Sequence, residues 1–187
     1  MQTITKTEPL KNKLISAFQP LKNSLYGNAK TRLQALSSFD KQGIPNRKHE
    51  EYKYVNIELI LKDNFGLQTS QTLTPEQIKS TKFLENAIVV VIENGIFSKK
   101  LSTIESLPKG LTILDIQQAE NNAAFSATYA TLADVESDAF IALNTALAQG
   151  GVFIQVAENA IIETPVHVIH VSSASSNTII NPRLFIH

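Results

Sequence analysis

Apolar residues recur with a helical period along the first third of the chain. They stand three or four positions apart, at Leu10, Leu14, Phe18, Leu21 and Leu25, which is the spacing of one face of an α-helix. Thr7 or Glu8 can begin this helix, with Pro9 in its first turn. Pro20 lies inside the pattern and has no amide hydrogen to donate, so we expect it to kink or split the helix.

A second helix is predicted over residues 29–43. The segment "AKTRLQALSSFDKQG" places three apolar residues on one inward face, Leu33, Leu36 and Phe39. Gly43 readily adopts the backbone conformation that ends a helix, and Pro45 cannot continue one. The helix is therefore expected to stop at Gly43.

The middle of the chain combines a clear helix start with a β-hairpin. In "TLTPEQIKSTKFLEN", Thr74 is the predicted N-cap and Gln77 its reciprocal capping partner. The run "AIVVVIENGIFSKKL" then places Asn94-Gly95 between two β-rich segments, which is the strongest short signal for a hairpin. A short helix is predicted within residues 56–67, and "GLTILDI" favours a further strand.

The last third begins with alanine- and leucine-rich sequence and ends in strands. Helices are predicted over residues 120–133 and 137–148, and the candidate inward residues are Phe125, Tyr129, Leu132, Phe140, Leu143 and Leu147. Gly150-Gly151 lets the second helix end and a strand begin at close quarters. Short β-branched runs separated by turn residues follow, and they contain no helix signal. The sequence stops inside the apolar run "RLFIH", so we expect these residues to be the front part of a longer protein.

Composition narrows the functional classes only slightly. The 187 residues contain 17 Lys and Arg against 17 Asp and Glu, so no overall charge attracts nucleic acid. There is no cysteine, which excludes disulfides, thiolate catalysis and a cluster or zinc ion held by cysteines of these residues. The N-terminal residues lack the apolar segment of a secretory signal, and the longest apolar runs are too short to cross a bilayer. A cytoplasmic protein is the simplest expectation.

Four segments, in order, resemble motifs of one family. "GIPNRKHEEYKYVNI" is similar to the signature near the front of SufD-type proteins, with Tyr52 in place of the usual Trp and Val55 in place of Ser or Thr. "VVVIENGIFSKKLS" resembles their hairpin, and "DAFIALNTALAQGGVFIQVAENAIIETPVHVIH" resembles the helix and strands that follow. "NPRLFIH" is similar to the entry to their long β-region. The chain is therefore identified as similar to the SufB/SufD family from about Gly43 to His187.

The resemblance implies a fold and a function. The fold is α+β: a mostly helical region with a β-hairpin over residues 1–150, and the first turns of a right-handed parallel β-helix over residues 151–187. The function is that of a scaffold subunit in the Suf iron–sulfur cluster assembly complex, without catalytic activity of its own. The partners are a SufB-like subunit, a SufC-like ATPase or a second copy of the chain, with no nucleic acid and no membrane. No cofactor resides in this chain, because the cluster is assembled transiently by the complex.

Three interpretations compete for the segment from Gly43 to Ile57. Its basic and aromatic residues suggest a nucleic-acid contact, formed by Arg47, Lys48, Tyr52, Lys53 and Tyr54. His49 beside Glu50 and Glu51 suggests a general acid–base group. The structural alternative is favoured: the charged residues connect two helical elements, and both tyrosine rings are buried with their hydroxyl groups paired.

Other candidate sites also have simpler structural explanations. His167 and His170 in "HVIH" stand three apart, so a strand would point them to opposite faces. The acidic group Asp134, Glu136 and Asp138 lacks the glycine and closing glutamate of a calcium loop, and Ser137 or Asp138 is the predicted N-cap of the next helix. No residue is assigned as catalytic, cofactor-binding or metal-binding.

Two rivals to the scaffold hypothesis remain open. A β-helix enzyme acting on polysaccharide would need charged residues on one strand face, and Glu158, Glu163 and Arg183 are the residues available. Such enzymes are typically secreted. The other rival is a free-standing interaction module, which would apply if the chain ends at His187.

Overall fold

The chain contains both helices and strands, in agreement with the predicted α+β class. The computed structural model describes residues 9–61, 65–67, 70, 72–81, 84–173 and 177–187. The helices are α1 (Leu10–Leu21), α2 (Ala29–Gln42), α3 (Ile57–Ile60), α4 (Pro75–Lys79), α5 (Ala123–Thr128) and α6 (Ala139–Leu147). The strands are β1 (Ile88–Glu93), β2 (Ile96–Phe97), β3 (Leu111–Asp115), β4 (Gly150–Val156), β5 (Val166–Val171) and β6 (Pro182–Ile186).

Helix α1 confirms the first predicted apolar face. Leu14 and Phe18 are each 2% exposed in the helical core. Pro20 lies in the last turn, and the helix ends one residue later. Proline has no amide hydrogen to donate to the carbonyl oxygen of Ser16 one turn earlier, so the helical hydrogen bonding is interrupted there, and the helix stops at Leu21. The proposed start at Thr7 or Glu8 lies outside the described residues.

Helix α2 agrees with its prediction at both ends but not along its whole face. The Asn28 side chain accepts a hydrogen bond from the Lys30 amide at 2.8 Å, and Gly43 closes the helix with φ of 70°. Leu36 and Phe39 are buried as expected. The inward placement of Leu33 is wrong, since this side chain is 53% exposed.

The hairpin and the capped helix before it are confirmed. Asn94 and Gly95 have φ angles of 49° and 84°, and Glu93 pairs with Ile96 across them. Positive φ at both central residues defines a type I′ turn, which matches the twist of the flanking strands. Before α4, the Thr74 amide donates to Gln77 Oε1 at 2.9 Å, which is half of the predicted reciprocal cap.

Of the two helices predicted in the alanine-rich region, α6 agrees with its prediction better than α5 does. Helix α6 has nearly the predicted length, and Leu143 and Leu147 are buried in the core. Helix α5 is much shorter than the predicted span of 120–133, although Phe125 is buried. The inward placement of Leu132 is wrong, because this side chain is 87% exposed beyond the end of α5.

The strands form two mixed sheets of three strands each. One has the order β2-β1-β5 and the other the order β3-β4-β6. In each sheet an antiparallel neighbour lies on one side of the central strand and a parallel neighbour on the other. Their facing apolar side chains form one core cluster, which includes Ile88, Val90, Ile113, Val152 and Ile154.

The prediction of a right-handed parallel β-helix is wrong for the described residues. The three strands of the last segment are divided between two sheets: β5 pairs with β1 of the hairpin, whereas β4 lies between the antiparallel β3 and the parallel β6. The described strands therefore build two separate mixed sheets and no solenoid turn. Strand periodicity could not reveal this, because β1, which pairs with β5, and β3, which pairs with β4, lie earlier in the chain. The division of the chain at residue 150 stays a prediction.

Gly151 allows the backbones of β4 and β6 to lie unusually close. It pairs with Arg183 in the parallel register of the two strands. A Cβ atom built at Gly151 would lie 2.1 Å from the carbonyl oxygen of Arg183. The predicted role of the glycine pair, which is to let a helix end and a strand begin at close quarters, is confirmed, because Gly150 opens β4 three residues after α6 ends.

Candidate functional site

The segment from Gly43 to Ile57 folds as an irregular connection between α2 and α3. A single 3₁₀ turn spans Glu50–Tyr52. Before it, the Asn46 side chain accepts from the Lys48 amide at 3.0 Å, and the Asn46 amide donates to His49 Nδ1 at 3.2 Å. Local side-chain hydrogen bonds of this kind replace a regular helix in the connection.

Tyr52 fixes this connection to the beginning of α6. Its hydroxyl group donates to Asp138 Oδ2 at 2.5 Å. The other oxygen of Asp138 caps the helix, accepting from the amides of Phe140 at 2.7 Å and Ile141 at 3.1 Å. The Tyr52 ring meets the Phe140 ring edge to face, with centroids 5.7 Å apart. The carboxylate of Asp138 therefore accepts hydrogen bonds both from the N-terminus of α6 and from the connection Gly43 to Ile57, which is called the signature segment below.

The environment of Tyr52 changes its acidity. Burial, followed by the hydrogen bond to Asp138 and the negative charges of Asp138 and Glu51, raises the pKa of Tyr52 to about 12. Each of these causes disfavours the phenolate. The predicted pairing of this hydroxyl group is confirmed, while the ring is half-buried rather than fully enclosed.

The same prediction fails for Tyr54. Its side chain is 89% exposed, and the Lys53 ammonium group lies 5.1 Å from its ring centre. Lys53 also forms an ion pair with Glu50. The Tyr54 ring therefore lies on the surface, although Tyr52 two residues earlier is hydrogen-bonded to Asp138, because the irregular turn directs the two rings to different sides.

The structure gives no support to the acid–base interpretation of this segment. His49, Glu50 and Glu51 are all exposed. The Nδ1 atom of His49 is occupied by the local contact with Asn46, and Glu50 is occupied by Lys53. The three groups do not converge on a cavity that could hold a substrate.

An apolar groove lies beside the signature segment. Its volume is about 320 Å³, and its lining residues are Leu14, Ile44, Ile57, Ile60, Leu61, Phe140, Leu143, Asn144, Ile179, Ile180 and Asn181. Large apolar residues next to it also face solvent: Val55 is 41% exposed, and Leu59 and Ile60 are each 58% exposed. Exposed apolar clusters of this kind are typical of protein contact surfaces.

The opposite end of α6 is held by Arg32 of α2. Its guanidinium group is 2% exposed and donates to the carbonyl oxygens of Thr145 at 3.2 Å, Ala146 at 2.9 Å and Ala148 at 2.9 Å. Its Nε donates to the Tyr26 carbonyl at 2.5 Å, and its carbon lies 4.6 Å from the Tyr26 ring centre. A cation at a helix C-terminus satisfies the last carbonyls and complements the helix dipole.

Arg32 is the main functional side chain that the sequence analysis missed. The apolar residues of α2, taken alone, predict that Leu33 lies on the inward face of the helix. The neighbouring arginine fills that position because three helix carbonyls and one loop carbonyl surround it. The sequence contains one signal for the burial of Arg32. It stands one helical turn before Leu36 and therefore lies on the same face of α2.

A second buried polar group lies at the hairpin. Glu93 is fully buried, and its Oε1 accepts from the amides of Thr72 at 2.6 Å and Leu73 at 3.0 Å and from the Ser173 hydroxyl at 2.8 Å. Asn94 is 1% exposed and exchanges hydrogen bonds with Ser173. These two residues tie the chain before α4 to the chain after β5.

The histidines and acids suggested no metal site, and no such cluster is found in the described ranges. His167 and His170 lie on β5, where alternation separates them, and burial lowers the pKa of His170. Asp138 is the N-cap of α6, as predicted, while Asp134 caps its own turn by accepting from the Glu136 amide. Within the described residues, no group of three metal-ligating side chains is close enough to bind an ion.

None of the helices in the described residues combines the length and the apolar character that crossing a bilayer requires.

Comparison with known proteins defines the class to which this arrangement belongs. A family model for the SufBD protein N-terminal region matches residues 21–168, a span that contains α2, the signature segment, the hairpin, α6 and half of β5. The chain belongs to the SufBD family. The resemblance inferred from the sequence motifs is confirmed.

One curated relative is much longer than the part of it that this chain matches. The chain is 28% identical over 149 residues to an iron–sulfur cluster assembly SufBD family protein of Staphylococcus haemolyticus. The alignment covers 72% of this chain and 32% of that protein. The matched part thus spans about a third of the relative's length.

Proposed function

We propose that this chain acts in iron–sulfur cluster assembly as a non-catalytic scaffold subunit, pairing with a SufB-like subunit and a SufC-like ATPase. The observation that carries the proposal is the SufBD family match over residues 21–168. The relative from Staphylococcus haemolyticus bears iron–sulfur cluster assembly in its name, and we extend that role to this chain. The cluster is the product of the complex and not a resident cofactor of these residues.

The geometry of the chain supports a binding role. Both ends of α6 are fixed, by Tyr52 through Asp138 and by Arg32 through the final carbonyls. A rigid element of this kind can present a surface without reorganising on binding. The exposed apolar residues of α3 and the adjoining groove supply such a surface.

The sequence assigns the reactive chemistry to partners. It contains no cysteine to hold a cluster and no Walker A motif to bind the phosphates of ATP. We propose that ATP hydrolysis in the complex belongs to the SufC-like subunit. The role of this chain is to position its partners.

Co-purification from the native host tests the proposal. The full-length protein, carrying an affinity tag, is expected to recover a SufB-like subunit and a SufC-like ATPase in stoichiometric amounts. Recovery of a stable homodimer without either partner would contradict the proposal and favour the independent interaction module. Recovery of neither partner, together with turnover of a polysaccharide, would favour an enzyme.

A matched pair of surface variants locates the contact. Ile60→Glu places a charge at the apolar groove, and Ile161→Glu places the same charge on a residue that is 86% exposed in the loop between β4 and β5. If a partner covers the groove, the first variant lowers its recovery and the second leaves it unchanged. Equal recovery with both variants would place the contact elsewhere on the subunit, without affecting the family assignment.

A further inference from the structure

Arg183 carries a positive charge that the described part of the chain does not neutralise. Its Nη2 donates to Thr145 Oγ1 at 2.5 Å, and its guanidinium carbon lies 5.6 Å from the centre of the Tyr129 ring. Its Nε is buried and has no hydrogen-bond partner among the described residues. Neither of the two ion pairs found within those residues includes Arg183. A buried donor without a partner is rare and calls for an explanation.

A second cation lies at the same helix end and increases the imbalance. Arg32 donates to the carbonyls of Thr145 and Ala146, and Arg183 contacts the side chain of the same threonine. The C-terminus of a helix supplies only about half of a negative charge. Two guanidinium groups therefore leave an excess of roughly one and a half positive charges at the end of α6.

The excess charge borders a small cleft. The cleft has a volume of about 130 Å³. Its polar lining groups are Thr128, Tyr129, Thr145 and Arg183, and its other walls are apolar and include Ile116, Leu132 and Leu184. The nearby acids Asp134 and Glu136 belong to the exposed turn before α6 and do not line the cleft. Arg183 is thus the one charged residue in the described lining.

We propose that this cleft binds a carboxylate group carried on a short apolar stem. A guanidinium group and a carboxylate match in planar, forked geometry. Arg183 lines the cleft and takes part in neither of the ion pairs found among the described residues. The apolar walls accommodate the stem. Phosphate is disfavoured, because a phosphate needs several donors around it and the cleft offers few. This site goes beyond the proposed scaffold role and does not depend on it.

The carboxylate can come from a free small acid or from an acidic side chain of a protein, and two probes distinguish these sources. The first is sodium butyrate, with butyramide as the uncharged control of the same shape. The second is an alanine tripeptide with a central glutamate and blocked ends, with the glutamine peptide as its control. The readout is the Nε–H nitrogen–proton resonance of Arg183 in the ¹⁵N-labelled chain, identified by its loss in Arg183→Lys.

Butyrate is expected to shift the Arg183 resonance in a saturable manner. Butyramide is expected to bind about tenfold more weakly, because charge-assisted hydrogen bonds are roughly twice as strong as neutral ones. Binding of butyrate but not of the glutamate peptide indicates a small acid, whereas binding of the peptide as well indicates a protein side chain. Arg183→Gln should abolish binding of both probes.

Three results would overturn the proposal. The first is the lack of a saturable shift with butyrate in the unmodified chain. The second is equal binding of butyrate and butyramide, which would show an apolar site only. The third is tighter binding of inorganic phosphate than of butyrate. All three are measured on the unmodified chain, so they remain decisive even if Arg183→Gln does not fold.

Discussion

The hydroxyl group of Tyr52 lies 2.5 Å from a carboxylate oxygen of Asp138, although the two residues are 86 positions apart in the sequence. The contact joins the irregular segment after α2 to the N-cap of α6. Because the same carboxylate already accepts two helix amides, the tyrosine adds a third hydrogen bond to a group that the helix dipole also stabilises. This relationship shows how a polar, charged segment acts as a structural element that holds the start of α6.

Removing the hydroxyl group of Tyr52 should cost less than removing the ring. Tyr52→Phe is expected to lower the free energy of unfolding by about 1 kcal/mol, at the low end for a hydrogen bond to a charged group because the site is half-exposed. Tyr52→Ala also removes the contact with Phe140 and should cost about 2–3 kcal/mol. Urea denaturation measures both values. Tyr54→Ala is the control, and a change above about 0.5 kcal/mol there would contradict the assignment of Tyr54 to the surface.

The raised pKa of Tyr52 predicts that its contribution is lost at high pH. A tyrosine in the unfolded chain ionises near pH 10, whereas in the folded protein Tyr52 ionises near pH 12. Below pH 10 both states are neutral, and the full contribution is present. Between pH 10 and pH 12 the unfolded state releases its proton first, so folding stability falls. The difference in melting temperature between the unmodified chain and Tyr52→Phe should therefore shrink across this range.

Comparison with Tyr52→Phe is necessary because Tyr26 contributes in the same direction. Burial raises the pKa of Tyr26 well above its usual range, so both chains will lose stability at high pH. Only the difference between them reports on Tyr52. A constant difference from pH 8 to pH 12 would show that the hydrogen bond to Asp138 does not control the ionisation of this hydroxyl group.

Arg32 should be among the most sensitive polar positions in the chain. Arg32→Met keeps much of the volume but leaves the final carbonyls of α6 and the Tyr26 carbonyl without a donor. Because several buried acceptors lose their partners together, we expect a loss of about 3–5 kcal/mol. Arg32→Lys keeps the charge but not the fork, and should lose about 2 kcal/mol or more.

The control for Arg32 is its neighbour on α2. Leu33→Lys places a long, charged side chain at a position that is 53% exposed, and it should change stability by less than about 0.5 kcal/mol. Thermal unfolding followed by circular dichroism measures all three variants. If Leu33→Lys were the more damaging change, the apolar-face prediction from the sequence would be right and the observed orientation of α2 wrong.

Local patterns in the sequence predicted most of the elements because the signals for those elements are local. The Asn94-Gly95 turn, the Thr74 cap and the period of α1 depend on residues within a few positions of one another. The pairing of β5 with β1 joins Ile88 to Val166, and nothing in either strand specifies the other. The sequence therefore identified the strands but assigned them to the wrong arrangement, a solenoid instead of two mixed sheets.

The same difference between local signals and long-range contacts applies to the candidate site. The sequence located the signature segment and the N-cap Asp138, but not the contact between them. It treated Tyr52 and Tyr54 alike, because composition cannot show which ring an irregular turn directs inward. Arg32 was missed because a buried cation is recognised by the carbonyl groups around it, and those belong to a helix more than a hundred residues later.

The close approach of β4 and β6 predicts that Gly151 cannot be replaced. In Gly151→Ala the new methyl group would overlap the Arg183 carbonyl, 2.1 Å away, so one strand must move or the pairing must break. We expect a loss of more than about 3 kcal/mol, at the upper end for single substitutions. At Gly43 the nearest atom is a flexible lysine carbon 3.9 Å from a built Cβ. Gly43→Ala should therefore cost about 1–3 kcal/mol from backbone strain alone, because φ of 70° with ψ of −168° is a conformation that essentially only glycine adopts.

The last prediction concerns the buried carboxylate of Glu93. Its Oε1 satisfies two backbone amides, of Thr72 and Leu73. Glu93→Gln keeps an oxygen acceptor of the same shape and should be tolerated within about 1 kcal/mol. Glu93→Leu removes the acceptor of both amides, one on the exposed Thr72 and one on the half-buried Leu73, which should cost about 1–3 kcal/mol.

Amide hydrogen exchange distinguishes the local effect of Glu93→Leu from a general loss of stability. If the carboxylate holds the segment before α4, the amides of Thr72 and Leu73 will exchange faster in this variant than global unfolding allows, while amides in the centre of β1 will follow the global stability. Equal acceleration at Thr72 and at Val90 would show that Glu93 stabilises the whole sheet rather than that segment. Full protection of Thr72 in Glu93→Leu would show that its amide has another acceptor.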